Sequence, residues 1–257
     1  MNVVCLCPTF RHPELLANSL ALWERQDYPK ENRRLVILDD GQTFDNQEGD
    51  GWRLVSMPRR MASIVDKYNL LLSLAESFAH PAAGATWSRV DAVLVWEDDD
   101  VYLPGYISAH VAALAACKGS GWSKPATVWS DYTQRLELEP ADGRFHSTLA
   151  MSLGAVKRVG GWPDTQRADF DQQLMNKLRE VVGPPVRPWS DVGQHIPFVY
   201  SWHTGAAHCQ STMRAPDDET WYQRGEEAYK KVMPVGRLVP HLDERSRRLA
   251  GMLEVAL

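Results

Sequence analysis

Residues 92–100 read Ala-Val-Leu-Val-Trp-Glu-Asp-Asp-Asp, a short apolar run that ends in four consecutive carboxylates. Apolar residues without polar alternation suit a strand buried on both faces of a parallel sheet. Adjacent carboxylates repel one another, and a hard divalent cation, which takes oxygen ligands, would compensate them. A solvated acidic turn is the alternative that needs no ligand. In an open α/β sheet, ligands bind in the crevice outside the carboxyl ends of the strands. That is where Glu97, Asp98, Asp99 and Asp100 would fall.

Two further strand ends bring polar groups to the same edge. The apolar run 3–7 stops at Pro8-Thr9, and the run 35–38 stops at Asp39-Asp40-Gly41. Right-handed crossovers line these ends up along one side of the sheet. No G-x-x-x-x-G-K-[ST] occurs, and no G-x-G-x-x-G follows a strand, so the phosphate cradles of P-loop and dinucleotide-binding folds are missing. Phosphates would have to be held by a metal and isolated basic side chains. Lys67 leads these, followed by Arg11, Arg59 and Arg60, each of which also fits a solvated surface charge.

The elements that must position these groups alternate. Helical stripes run over 12–26, 63–78 and 104–117, the last with Pro104 in its first turn. Together with the strands they give β-α-β-α-β-α, the order of a mostly parallel, doubly wound sheet. A polar loop fills 41–51. After about 120 the alternation weakens into a mixed half, with strands expected near 128–129, 145–151 and 198–202. Helices are expected over 169–182, 217–231 and 241–254. No repeat, low-complexity tract or clean linker interrupts the chain. The expectation is one domain over 1–257, with a nucleotide-binding half over 1–120, an acceptor half over 121–215 and closing helices over 216–257.

Composition narrows the function classes. A net charge of −5 gives no global basic field to gather nucleic acid or anionic membrane. No apolar stretch approaches the roughly 20 residues of a membrane span, and Pro8-Thr9 cuts the first apolar run too short for a signal peptide. The four cysteines form no disulfide framework or paired zinc spacing. Cys5 and Cys7, two apart on a strand, would be buried thiols on one face. These features suit a soluble protein of a reducing, cytoplasmic compartment.

The ordered set 4–11 (Val-Cys-Leu-Cys-Pro-Thr-Phe-Arg), Gln26-Asp27-Tyr28-Pro29 and Leu38-Asp39-Asp40-Gly41 resembles the opening of family-2 glycosyltransferases. Lys67-Tyr68-Asn69 is similar to the lysine-arginine-asparagine stretch of their next helix. Glu97-Asp98-Asp99-Asp100 with Leu103-Pro104-Gly105 is similar to their DxD region. The likeness covers 2–108 closely and 150–211 loosely. It implies the GT-A fold, a Rossmann-like α/β sandwich of the nucleotide-diphospho-sugar transferases. By the same resemblance Pro8, Thr9 and Asp39 would meet the nucleotide base, with Asp40 beside them. Glu97 and Asp98 would meet the ribose and the metal's hydration shell, and Asp99 would bind the metal directly. Glu in place of the usual first Asp leaves the division of labour between Glu97 and Asp98 open.

The resemblance also supplies the acceptor side. Gly160-Gly161-Trp162-Pro163-Asp164, then Ala168-Asp169-Phe170-Asp171, is similar to the family's glycine-rich turn and Glu-Asp pair. Ala168 replaces the first acid, leaving Asp169 as candidate base, although Asp also caps helices routinely. Asp171 reads as a first-turn acid or an acceptor contact. His208 or His203 would complete the metal site, as a loop histidine often does in the family. Trp162, Trp189 and Trp202 could stack on sugar or base, or simply pack. The implied activity is transfer of a sugar, with inversion, from a nucleoside-diphosphate sugar (UDP by family frequency) to an acceptor hydroxyl, aided by Mn²⁺ or Mg²⁺. The acceptor would be a glycan or another hydroxyl-bearing molecule, including a hydroxylated DNA base. A nucleotidyltransferase and a catalytically inactive nucleotide- or carbohydrate-binding module are the competing classes.

Overall fold

The computed structural model describes residues 1–77, 87–117, 120–132, 135–165, 167, 169–189, 196–202 and 235–257. Alternation of apolar side chains organises the main sheet. Strands β1 (Val3–Thr9), β2 (Arg33–Asp39) and β5 (Ala92–Val95) pair in parallel with β1 central, and their side chains point alternately to two separate cores. Val3, Cys5, Leu35, Ile37 and Leu94 join one core with α1 (Pro13–Glu24) and α3 (Tyr106–Ala116). Val4, Leu6, Val36, Leu38, Val93 and Val95 join the other with α2 (Ile64–Ser77), α4 (Leu153–Val159) and α5 (Phe170–Val181). Helices on both faces explain why the central residues of these strands are apolar on both sides.

The full order of this sheet is β3-β4-β2-β1-β5-β10-β7. β4 (Trp52–Ser56) continues the parallel run, while β3 (Gln47–Gly49), β10 (Ala150–Ser152) and β7 (Trp122–Ser123) pair antiparallel at the flanks. A second sheet, β6-β11-β8-β9, combines β6 (Val101–Tyr102), β11 (Phe198–Tyr200), β8 (Thr127–Ser130) and β9 (Glu137–Pro140). The doubly wound parallel centre and mixed second half match the expected α/β class. α6 (Glu244–Met252) lies near the end of the chain, capped by the Asp243 carboxylate accepting from Ser246 N at 2.6 Å. Among the described residues, no helix is long and apolar enough to cross a membrane.

Some local expectations are corrected. The stretch 145–151 is not one strand: His146–Thr148 forms a 3₁₀ turn, and only then does β10 begin. Phe145 starts that turn with a φ of 55°, a left-handed conformation incompatible with a continuous strand. Pro104 lies ahead of α3 rather than in its first turn, because Gly105 caps the helix with a φ of 96°. Strands β3 and β4 occupy and follow the expected polar loop. β3 forms the sheet edge beside β4, and of β4 only Leu54 is buried, so a continuous apolar signal is lacking. The helix expected near 217–231 lies outside the described residues.

Pro8 sits inside β1 without breaking it, since β5 pairs with β1 only as far as Leu6 and Val95. Its missing N–H therefore falls where one neighbour has already departed. His110, on α3, is fully buried with Nδ1 3.0 Å from Ser123 Oγ. Burial first, and the Lys124 charge second, push its pKa down to about 3. An unfolded histidine takes a proton near pH 6.5, so the unfolded chain binds a proton that the native one refuses between those values. Stability is then lost as pH falls through that window, by up to about 1.4 kcal/mol per unit. Urea midpoints recorded from about pH 7 to about pH 5 should fall less steeply for His110→Gln than for the parent; identical slopes would contradict this assignment.

Candidate active site

The order β2-β1-β5 brings three strand ends to one edge, and the longest acidic turn follows β5. Trp96 anchors that turn from below. Its ring stacks on Tyr102 at 3.9 Å, and its Nε1 donates to Ser19 Oγ at 2.7 Å. Glu97 N donates to Tyr102 Oη at 2.7 Å. With the turn held, one carboxylate oxygen from each of Glu97, Asp99 and Asp100 lies within 4.8 Å of the others. All three ligand atoms are hard oxygens, the donor set preferred by Mg²⁺ and Mn²⁺.

Asp98 points elsewhere. Its Oδ2 accepts from Thr9 Oγ1 at 2.6 Å and lies 3.4 Å from His12 Nδ1, tying β5 to β1 and to the start of α1. Asp100 Oδ1 accepts from Ser201 N at 2.8 Å, fastening the residue that follows β11. Asp39 is fully buried and accepts from the N–H groups of Gly41, Thr43 and Phe44 at 2.8, 2.7 and 3.2 Å. Desolvation nevertheless holds its pKa above the ordinary carboxylate value. Arg11, at a φ of 56°, donates from Nε to Gly41 O at 3.2 Å. The two tips approach so closely that a Cβ on Gly41 would stand 2.6 Å from Arg11 Cγ.

Lys67, Tyr68 and Asn69 make three different attachments from one turn of α2. Lys67 is buried, and its ammonium pairs with Asp40 Oδ1 at 2.5 Å and donates to Thr9 O at 2.8 Å. It spans the ends of β1 and β2, whereas the sequence suggested a reach toward phosphates. Tyr68 Oη donates to Glu97 Oε1 at 2.9 Å, and its ring stacks on Trp162 at 4.9 Å. Asn69 exchanges hydrogen bonds with the Trp162 backbone, donating to its carbonyl at 3.1 Å and accepting from its N–H at 2.9 Å. That approach requires glycine at 161: its φ is 81°, and a Cβ there would lie 2.7 Å from Asn69 Oδ1.

The two candidate acids of α5 have opposite environments. Asp169, at the N-cap, is partly exposed and accepts from Arg167 Nε and Gln173 Nε2, each at 2.9 Å. The Arg167 hydrogen bond leads the effects that hold its pKa below the ordinary carboxylate value. Asp171 is buried, bonded to Gln172 N at 2.8 Å, and desolvation raises its pKa. Between them, the Phe170 ring packs 5.3 Å from His146. Trp162, Trp189 and Trp202 are all buried, with each indole N–H bonded to a protein acceptor. His203, His208 and Ala168 lie outside the described residues.

Sequence reasoning overlooked His146. Its Nδ1 is 3.1 Å from Glu97 Oε1, and its Nε2 accepts from Trp162 Nε1 at 2.9 Å. Residues 144–148, Arg-Phe-His-Ser-Thr, carry no periodicity or motif that marks this position. Only its contact with Glu97, 49 residues away in sequence, reveals it.

No known protein family matches the chain, and no curated protein matches it. Solved structures do. S. aureus TarS 1–349 superposes with a TM-score of 0.59 at 12% identity, covering 90% of this chain and 73% of that one. The same protein in complex with UDP-GlcNAc gives 0.60 at 16% identity, covering 89% and 66%. The mannosyltransferase PcManGT from Pyrobaculum calidifontis, in complex with GDP-Man and Mn²⁺, gives 0.56 at 16% identity, covering 98% and 84%. The chain has the GT-A fold. Within that fold, the acidic turn after β5 stands at the carboxyl edge of the parallel centre.

The Lys67–Asp40 pair allows a direct test of position against function. Removing one member of a buried pair leaves an uncompensated charge, at a cost of about 3–5 kcal/mol. Lys67→Ala should lower the unfolding midpoint accordingly, and adding Asp40→Asn should restore part of the loss. An unchanged midpoint with a raised KM for a phosphate-bearing ligand would instead return Lys67 to the phosphate role.

Proposed function

We propose that this protein is a metal-dependent glycosyltransferase that moves a sugar from a nucleoside-diphosphate donor to an acceptor hydroxyl with inversion. The observation that carries this reading is the convergence of Glu97, Asp99 and Asp100 at the carboxyl edge of a GT-A sheet. The complexes of TarS with UDP-GlcNAc and of PcManGT with GDP-Man and Mn²⁺ support a nucleotide sugar as donor class. UDP is the preferred nucleotide, and the acceptor is a glycan or another hydroxyl-bearing molecule.

Glu97, Asp99 and Asp100 would hold Mn²⁺ or Mg²⁺, which when bound supplies Lewis-acid compensation for charge gathering on the departing diphosphate. The chain's own residues do the rest. Pro8, Thr9 and Arg11, with the turn that Asp39 and Asp40 brace, form the wall against which the nucleotide lies. Asp98, fixed by Thr9 and His12, links that wall to the acidic turn. Asp169 takes the proton from the acceptor hydroxyl as that oxygen attacks the anomeric carbon opposite the leaving group. Arg167 keeps the Asp169 carboxylate ionised, the form a base requires. Asp171, turned inward, supports the first turn of α5.

Incubation with UDP- and GDP-sugars, Mn²⁺ and a panel of hydroxyl acceptors should release free nucleoside diphosphate. Release of pyrophosphate would favour nucleotidyl transfer, and donor binding without turnover would favour a binding module. Asp99→Asn should lower kcat/KM by about 100-fold or more; near-normal turnover at saturating Mn²⁺ would sink the reading.

The two α5 acids separate by pH. A base acts only when deprotonated, so kcat/KM falls as pH drops through its pKa. With Asp169 as base, that acid limb lies below the ordinary carboxylate range and Asp169→Asn costs about 10²–10⁴-fold. A limb displaced above that range and abolished by Asp171→Asn would transfer the role to Asp171.

A further inference from the structure

We infer that His146 is a positioning residue for the acidic turn, fixing the side chain of Glu97 within the carboxylate trio. The inference rests on the proposed metal site and names a residue through which that site is held in shape.

The hydrogen-bond chemistry determines which tautomer does this. An indole N–H can only donate, so Trp162 Nε1, 2.9 Å from His146 Nε2, requires that nitrogen to be an acceptor. The proton of the neutral ring therefore sits on Nδ1, where it donates to Glu97 Oε1 at 3.1 Å. Tyr68 Oη donates to the same oxygen at 2.9 Å. Glu97 Oε1 thus accepts two bonds of fixed direction, which removes the rotational freedom that a Glu has in excess of an Asp. The extra methylene that departs from the usual DxD motif is offset by two donors that hold it.

The ring itself is locked in place. His146 is buried, with Tyr68 at 4.7 Å and Phe170 at 5.3 Å, both edge-on. Its 3₁₀ turn is fastened at the backbone from three directions. The fully buried Lys124 donates its ammonium hydrogens to Phe145 O and Thr148 Oγ1. Thr148 Oγ1 donates to Phe145 O at 2.8 Å, and Tyr106 Oη donates to Ser147 O at 2.7 Å. The left-handed Phe145 costs backbone energy, and such a conformation persists when its surroundings over-determine it. Trp162 is positioned independently by Asn69 and Gly161. Glu97 is therefore referenced to α2, the 3₁₀ turn and the glycine-rich turn at once.

Two substitutions of like polarity separate positioning from packing. An asparagine amide nitrogen can stand near the place of Nδ1 and keep a donor toward Glu97, whereas a glutamine amide reaches the place of Nε2 and loses it. Both lose the ring, so both should lower the unfolding midpoint to a similar extent. Mn²⁺ affinity in the presence of UDP, read from the free-ion electron paramagnetic resonance signal, should differ. His146→Gln should weaken it by about 10–100-fold, the usual consequence of losing an outer-shell partner, while His146→Asn stays within about threefold of the parent. Equal affinity in parent and His146→Gln, or equal losses in both variants, would overturn the inference. Asp99→Asn separates this from the parent reading: if that variant binds Mn²⁺ as tightly as the unaltered protein, the proposed metal site has failed, whatever His146 does. Should His146→Gln not fold, Tyr68→Phe removes the second donor to Glu97 and should weaken affinity in the same direction; an unchanged value there would contradict the proposal.

Discussion

Carboxylates crowd together at one desolvated sheet edge, and the chain around them is arranged to hold them there. Asp39, Asp40, Glu97, Asp98, Asp99 and Asp100 meet there because three parallel strands end side by side. Buried charge without hydrogen bonds or a counter-charge is not tolerated, so the surrounding chain is arranged as donors. Backbone N–H groups serve Asp39, Lys67 serves Asp40, Thr9 serves Asp98 with His12 Nδ1 3.4 Å away, and Ser201 serves Asp100. Glu97 takes Tyr68 and His146. Much of the tertiary structure around the edge consists of these attachments.

The triplet Lys67-Tyr68-Asn69 shows how economically the task is done. Three neighbours on one helix reach the first two strand ends, the acidic turn and the glycine-rich turn. Helical geometry spreads consecutive side chains by roughly 100°, so one turn of α2 can address partners in three directions. A change in α2 would therefore be felt at the ends of β1 and β2, at the acidic turn and at the glycine-rich turn. Asn69 and Gly161 carry that link to Trp162, and Trp162 carries it on to His146.

What could be read from the sequence followed from strength of pattern. The unbroken apolar runs of β1, β2 and β5 declared a doubly covered parallel sheet, and their polar ends declared its edge. The acidic turn was visible because four adjacent carboxylates are difficult to place without compensation. Less legible were β4, whose side chains are mostly half-exposed, and the 3₁₀ turn at 146–148, whose conformation is imposed by Lys124 and Tyr106 from elsewhere in the chain. The pairing of Lys67 with Asp40 and Thr9 was not legible, because sequence gives no account of where a long flexible side chain ends. The different environments of Asp169 and Asp171 were harder to read: Asp171 falls on the face of α5 that buries Phe170, Leu174, Met175 and Leu178, whereas Asp169 stays partly exposed at the N-cap.

If the carboxylate trio is poised for a cation, the native state gains stability when one binds. Thermal unfolding in EDTA, compared with unfolding in saturating Mn²⁺ with UDP, measures that gain. A ligand at about 100 times its dissociation constant adds about 2.7 kcal/mol, or ~5–10 °C for a chain of this size. A saturable rise of that order is the expected result. Superimposable unfolding curves in EDTA and Mn²⁺ with UDP would contradict it.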